Sequence, residues 1–179
     1  RTVALVVVDA PAGFHRMENQ MKGTNKVFIA KSIDGFIADK NGGIDWLHTV
    51  PNPNGDDMGY SEFMKDIDAL VMGRHTFETV RNFDMDWPYQ IPVFVLSESL
   101  NFLPSELKDK VFLVKGSSEE VLTQIHDRGY HKLCIDGGKT IQNFLRSNRI
   151  DELVLTTIPV VLGNVFPYFP NFQNHLNLI

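Results

Sequence analysis

The chain has 179 residues, a single cysteine and a formal net charge of -5. That length suits one ordinary domain burying roughly two-thirds of the surface its unfolded form exposes, and the lone Cys134 excludes an internal disulfide or a cysteine zinc cluster, which fits a reducing cytoplasm. With 22 acidic residues against 17 lysines and arginines and no basic run, neither a nucleic-acid nor a membrane partner is expected, and an anionic ligand must be held by local groups.

The opening, residues 1–23, fits poorly with the rest of the chain. Val3 to Val8 is a short apolar run, broken up by Pro11, Gly13, Met17 and Met21. A signal peptide needs a basic start, an apolar core and a small-residue cleavage site, and the core here is only Val3 to Val8. The reading is translated leader or added sequence outside the core, with the natural start near Met17 or Met21; an extra strand is the alternative. Residues 24–179 are read as the domain proper.

Lys26 to Ile33 is rich in strand formers, and Asp34-Gly35 permits a tight turn before Phe36-Ile37-Ala38. A long loop follows, with Trp46 inside it and Pro51, Pro53 and Gly55 forbidding regular structure; such loops are commonly functional, and the tryptophan needs a seat or a ligand. Asp56-Asp57 precedes Tyr60, Phe63, Met64 and Ile67, spaced as on an amphipathic helix, so the two acids read first as helix-start acids.

Ala69 to Met72 is short and uniformly apolar, which suits a strand buried on both faces. Gly73 then lets the chain turn, and a helix from about His75 would aim its free N–H groups and dipole at the place where Arg74 also lies. Such a place attracts phosphate; the plain alternative is a strand–helix junction with a surface arginine. Ile91 to Leu96, closing on Ser97, and Val111 to Val114 are further strands, and Ser117 with Glu119 and Glu120 starts a helix that stops at Gly129. Lys132 to Asp136 is a strand running into Gly137-Gly138, after which Lys139 to Leu145 has helical spacing. Glu152 to Val160 is the last long strand. Strands alternating with helices give an α/β domain with a largely parallel sheet, and two strand–glycine–helix junctions in one sheet can flank one crevice.

These residues resemble the dihydrofolate reductase fold, and within it the branch containing the reductase domain of riboflavin biosynthesis, the RibD C-terminal domain. Val71-Met72-Gly73-Arg74-His75-Thr76-Phe77-Glu78 is similar to the folate enzymes' cofactor turn. Ala30, Asp34 to Ala38, Trp46, Val95-Leu96-Ser97, Ile135 to Lys139 and Leu155 to Pro159 fall in order beside it. The resemblance implies a three-layer fold, a mostly parallel central sheet with helices on both faces, and NADPH as cofactor. Arg74 and Ser97 would take the 2′-phosphate, with Gly73, His75 and Thr76 along the pyrophosphate. Gly137, Gly138, Lys139 and Thr140 would hold the other side, and Ala30 and Ile37 would frame the nicotinamide. Trp46 and Phe63 would line the substrate side.

The catalytic acid is less clear. Folate reductases carry one on the helix after the tryptophan, where this chain offers Asp57; Asp34 resembles the acid of the riboflavin-type Asp-Gly turn, though any tight turn favours that pair. The six histidines form no metal-binding pattern, so no metal is expected. Family members continue beyond the stretch like Phe166-Pro167 with final strands, so a lost strand pair would leave an edge for Val3 to Val8 or a partner subunit, in a homodimer, to cover. The expected activity is hydride transfer to a pteridine- or pyrimidine-type heterocycle or a ribosylamino substrate, as in 5-amino-6-(5-phosphoribosylamino)uracil reductase or dihydrofolate reductase; the alternative is a non-catalytic NADP-binding protein of the same fold. Both require the junctions at Arg74 and Gly138 to share one cleft.

Overall fold

The computed structural model describes residues 4–9 and 23–163. Seven strands form one sheet: β1 (Ala4–Asp9), β2 (Thr24–Ser32), β3 (Ala69–Gly73), β4 (Val93–Leu96), β5 (Val111–Val114), β6 (Lys132–Asp136) and β7 (Glu152–Ile158), in the spatial order β1-β7-β2-β6-β3-β4-β5. The six from β7 to β5 are parallel; β1 runs antiparallel to β7, from Ala4 opposite Thr157 to Asp9 opposite Glu152. Residues 4–9, expected from the sequence to lie outside the core, therefore run as the outer strand, where their backbone satisfies the N–H and C=O row that β7 otherwise presents. The expected natural start near Met17 or Met21, and the expectation about final strands beyond Phe166, lie outside the described residues.

The apolar runs are central strands because both faces are covered. α1 (Tyr60–Met64) and α2 (Arg74–Arg81) lie on one face, where Leu70, Met72, Cys134 and Phe77 are buried together with Ile67, Val93 and Val95. α3 (Ser118–His126) and α4 (Gly138–Arg146) cover the other, where Val121, Ile125, Ile141 and Phe144 pack on Val27, Val71, Leu133 and Ile135. The fold is the expected α/β three-layer arrangement. α3 begins as its sequence predicts, with a capping box in which the Ser117 side chain accepts from Glu120 N–H and the Glu120 carboxylate accepts from Ser117 N–H. α1 is shorter than the Tyr60-to-Ile67 pattern suggested, because the chain must turn at Lys65 to enter β3.

At the amino ends of the strands a group of charges closes the sheet. Lys26 pairs with Asp66 (3.2 Å) and Glu152 (3.0 Å), and Lys132 pairs with the same Asp66 at 2.5 Å. The carboxyl ends carry the glycines.

Candidate active site

Two of the three long helices that start at the carboxyl edge have no side-chain cap. α2 begins at Gly73 and α4 at Gly137, and neither helix start receives a hydrogen bond from a capping side chain, whereas α3 does. β3 and β6 are neighbours, with Met72 opposite Asp136, so the two uncapped starts stand side by side. Their packing is reciprocal. A Cβ on Gly73 would come 2.8 Å from Thr140 Oγ1 in α4, and one on Gly137 would run into Thr76 Oγ1 in α2. Gly137 also has φ +84°, which favours glycine. Unshared N–H groups and two positive dipole ends thus converge on one patch, the arrangement that binds phosphate.

Other segments complete this patch. A Cβ on Gly138 would lie 2.6 Å from Ile37 Cδ1, and one on Gly42 3.8 Å from His75 Nε2, so the loop from Asp34 to Gly43 reaches both helix starts. Within that loop Asp39 Oδ1 accepts from Asn41 N–H (2.7 Å) and Gly43 N–H (2.8 Å), which fixes its bend. Ala30 lies near the end of β2 beside Thr156 of β7. Lys139 is exposed in the first turn of α4. Arg74 is exposed at the start of α2; its Nε donates to Glu78 at 2.6 Å and its Nη1 to Ser99 Oγ at 2.9 Å. The hydroxyl beside Arg74 is therefore that of Ser99 and not of Ser97, which is buried and accepts from Leu100 N–H (2.9 Å) and Ser99 N–H (3.3 Å) to shape the turn after β4. Sequence alone could not separate two serines two residues apart.

Both acids singled out from the sequence are occupied by backbone. Asp57 accepts from Gly59 N–H at 2.9 Å and Ser61 N–H at 2.8 Å, in the turn that leads into α1. Its bonds from Ser61 hold the carboxyl below the usual range. Asp34 accepts from Leu162 N–H (3.2 Å) and Gly163 N–H (2.8 Å), tying the chain after β7 to the turn after β2, and its contact with the Ser32 side chain foremost lowers its pKa. Both carboxylates are exposed, and both have backbone to hold.

The acid that sequence reading passed over is Asp136, the last residue of β6. Alternation along the strand puts it on the α1/α2 face with Cys134. Its Oδ1 accepts from Gly137 N–H at 2.7 Å. Protein surrounds it closely, and this desolvation drives its pKa upward. The residue still keeps partial contact with solvent, as a group on the floor of a cleft does. Its signal in the sequence was a lone acid ending an apolar strand directly before paired glycines.

Aromatic rings stand around that face. Phe28 packs against Tyr60 (5.5 Å between ring centres) and Phe63 (5.2 Å), and Trp87 packs against Tyr89 (5.2 Å) and Phe77 (5.8 Å). Burial, with Cys134 and Asp136 nearby, pushes the Tyr60 hydroxyl up to about 12, and burial raises Tyr89 as well. Phe63 lies with these rings on the α1/α2 face. Trp46 is only 7% exposed, in a 3-10 turn over Asp45–Thr49, and its indole N–H has no partner in the protein. Cys134 is buried and its thiol is pushed up by desolvation, as for a small core residue. Among the described residues no group of three or more His, Cys, Asp or Glu is arranged to hold a metal, and no helix is long and apolar enough to cross a membrane.

Comparison with known proteins places this geometry in a family. The model of the RibD C-terminal domain matches residues 26–178. The Bacillus subtilis (strain 168) protein YwjB, described as uncharacterized, is 31% identical over 161 residues, covering 88% of this chain and 89% of its own. A crystal structure from Shewanella sp. PV-4, provisionally described as a riboflavin biosynthesis protein, is 50% identical with a TM-score of 0.80, covering 85% of this chain and 86% of that one. The dihydrofolate reductase of Enterococcus faecalis, solved with NADP(H), has the same fold at 22% identity and a TM-score of 0.58, over 85% of this chain and 80% of its own.

Proposed function

The chain belongs to the RibD C-terminal domain family, a family of reductases, and from that premise we propose that it is an NADPH-dependent reductase that transfers hydride to a C=N or C=O group of a flat heterocycle. The observation that carries this reading is the reciprocal packing of Gly73 on Thr140 and Gly137 on Thr76, which brings two uncapped helix starts together beside Arg74. A single patch with two sets of free N–H groups suits a pyrophosphate. Of the five N–H donors of Arg74, Glu78 and Ser99 engage two, leaving three for a 2′-phosphate; Ser99 orients the guanidinium. Ile37, lying against Gly138, and Ala30 would hold the nicotinamide over the end of β2. NADPH, when bound, supplies the hydride.

The residues of this chain then have two tasks, to shield the reacting atoms from water and to furnish one proton. Phe28, Tyr60 and Phe63 serve the first. Asp136 serves the second: it ends β6 on the α1/α2 face, and desolvation raises its pKa while hydrogen bonds lower those of Asp34 and Asp57. Titration with NADPH and NADH, followed by tryptophan fluorescence, tests the reading. Saturable NADPH binding tighter than NADH is expected, and no binding of either would defeat it.

A further inference from the structure

Arg74 stands where a helix does not favour a cation. It is the first residue of α2, at the positive end of the helix dipole, and its pair with Glu78 at i,i+4 puts the cation before the acid, the weaker order for a helix. The two side chains are 47% and 39% exposed, so their ion pair adds little to stability. The first turn of α2 contains no acid, whereas that of α3 contains Glu119 and Glu120. The start of α2 is thus left clear for an anion, and a carboxylate comes within reach of Arg74 only from one turn further along.

The nitrogen that Glu78 takes decides what it can do there. Glu78 Oε1 accepts from Arg74 Nε at 2.6 Å, and Ser99 Oγ accepts from Nη1 at 2.9 Å. The two contacts come from different elements, α2 and the turn after β4, so together they fix the plane of the guanidinium. Nη2 and the second N–H of Nη1 have no partner among the described residues. Neighbouring charges are engaged elsewhere: Glu98 Oε1 accepts from Gly116 N–H at 3.0 Å, and Lys115 Nζ donates to Asn101 Oδ1 at 3.4 Å. Among the described residues Glu78 is therefore the one carboxylate in contact with Arg74, and it offsets the formal charge of the group assigned to the 2′-phosphate.

We infer that Glu78 is a specificity-determining residue of the coenzyme site: it orients Arg74 through Nε, and its charge holds back the preference for NADPH over NADH that Arg74 alone would give. This rests on the reductase reading and adds to it the control of coenzyme choice. A 2′-phosphate dianion taken up by Arg74 also feels the carboxylate that touches the same guanidinium. Coulomb repulsion falls only as the inverse of distance, so Glu78 removes a sizeable part of the attraction. NADH has no phosphate at that position and is indifferent to the charge. Orientation and charge separate in Glu78→Gln, whose amide oxygen still accepts from Nε while the negative charge is gone.

Coenzyme titrations on the full chain test it. Dissociation constants for NADPH and NADH are measured by tryptophan fluorescence for the parent and for Glu78→Gln, each at low and at high salt. The variant should bind NADPH about three- to tenfold more tightly at low salt, with NADH within about twofold, and the gain should shrink at high salt as ions screen the lost charge. A carboxylate that only orients Arg74 is replaced by Gln without effect. Unchanged constants, weaker NADPH binding, equal tightening of both coenzymes, or a gain that salt does not reduce overturns the inference. If the parent binds neither coenzyme, the reductase reading fails and this role with it. If the parent binds NADPH and the ratio to NADH does not move, only the role of Glu78 falls.

Discussion

Replacing Gly137 with alanine tests the junction on which the site is built. Gly137 has φ +84° and ψ +129°, a region that an L-residue enters at a cost of about 1–3 kcal/mol. The new methyl would also run into Thr76 Oγ1, with Thr76 Cβ next at 3.3 Å, and overpacking of this kind costs about 1–3 kcal/mol. Together the losses come to about 2–6 kcal/mol, a large share of the 5–15 kcal/mol typical of a domain. Only the second part depends on Thr76. In the double variant with Thr76→Ala the hydroxyl is gone and the 3.3 Å neighbour can give, so urea denaturation should show a favourable coupling of about 1–3 kcal/mol in a double-mutant cycle. The reasoning fails if Gly137→Ala costs under about 1 kcal/mol, or if the two changes simply add.

Other expectations rest on the same geometry. Arg74→Ala should weaken NADPH by about 10–100-fold, the worth of a charge-assisted contact of about 1.5–3 kcal/mol, and leave NADH within about threefold; equal losses in fluorescence titrations would refute the 2′-phosphate role. Asp136→Asn should abolish most of the hydride-transfer rate while stabilising the fold. The native carboxyl has a pKa above its unfolded value, so its contribution is favourable at low pH and is lost as pH rises through the folded pKa. The urea midpoint of the variant should therefore gain on the parent more at pH 8 than at pH 5, and the reverse order would contradict the burial assigned to Asp136. His126, its ring tilted against that of His131 at 5.0 Å and with Nε2 buried and unpaired, has the opposite sense. Desolvation foremost, and then His131, lower its pKa, so the stability it lends is present above about 6.5 and drains away as pH falls through the folded value. His126→Leu should flatten the fall in melting temperature between pH 7.5 and 5.5.

Much of this architecture was legible because it is written locally. Ala69 to Met72, Val93 to Leu96 and Leu133 to Ile135 are apolar on both faces, and parallel strands sandwiched between helices require that. Ser117 and Glu120 announce α3 through a bond pattern spanning three residues. Gly73 and Gly137 were legible as turns, but their contact with each other's threonines depends on β3 and β6 being neighbours across more than fifty residues of chain. Asp136 was missed for the same reason: its environment comes from α1, β3 and the stretch around Tyr89, and nothing adjacent in sequence reports depth. Asp57 and Asp34 show a different difficulty. An acid before a helix and an acid in an Asp-Gly turn are ambiguous in sequence between backbone binding and chemistry, and the four N–H groups from which they accept show the first of these roles.

The place of β2 has a consequence for how the chain is made. Its neighbours in the sheet are β6 and β7, so Asn25 meets Asp151 across 126 residues. On a ribosome adding about 5–20 residues per second, Val27, Phe28 and Ile29 wait roughly ten seconds for their partners to emerge. During that interval the strand destined for the middle of the sheet is an unpaired apolar ribbon, while β3, β4 and β5 can already associate. Nascent-chain aggregation and chaperone capture should therefore map to the early residues of this protein, and a circular permutant that delivers β2 after β6 should relieve both.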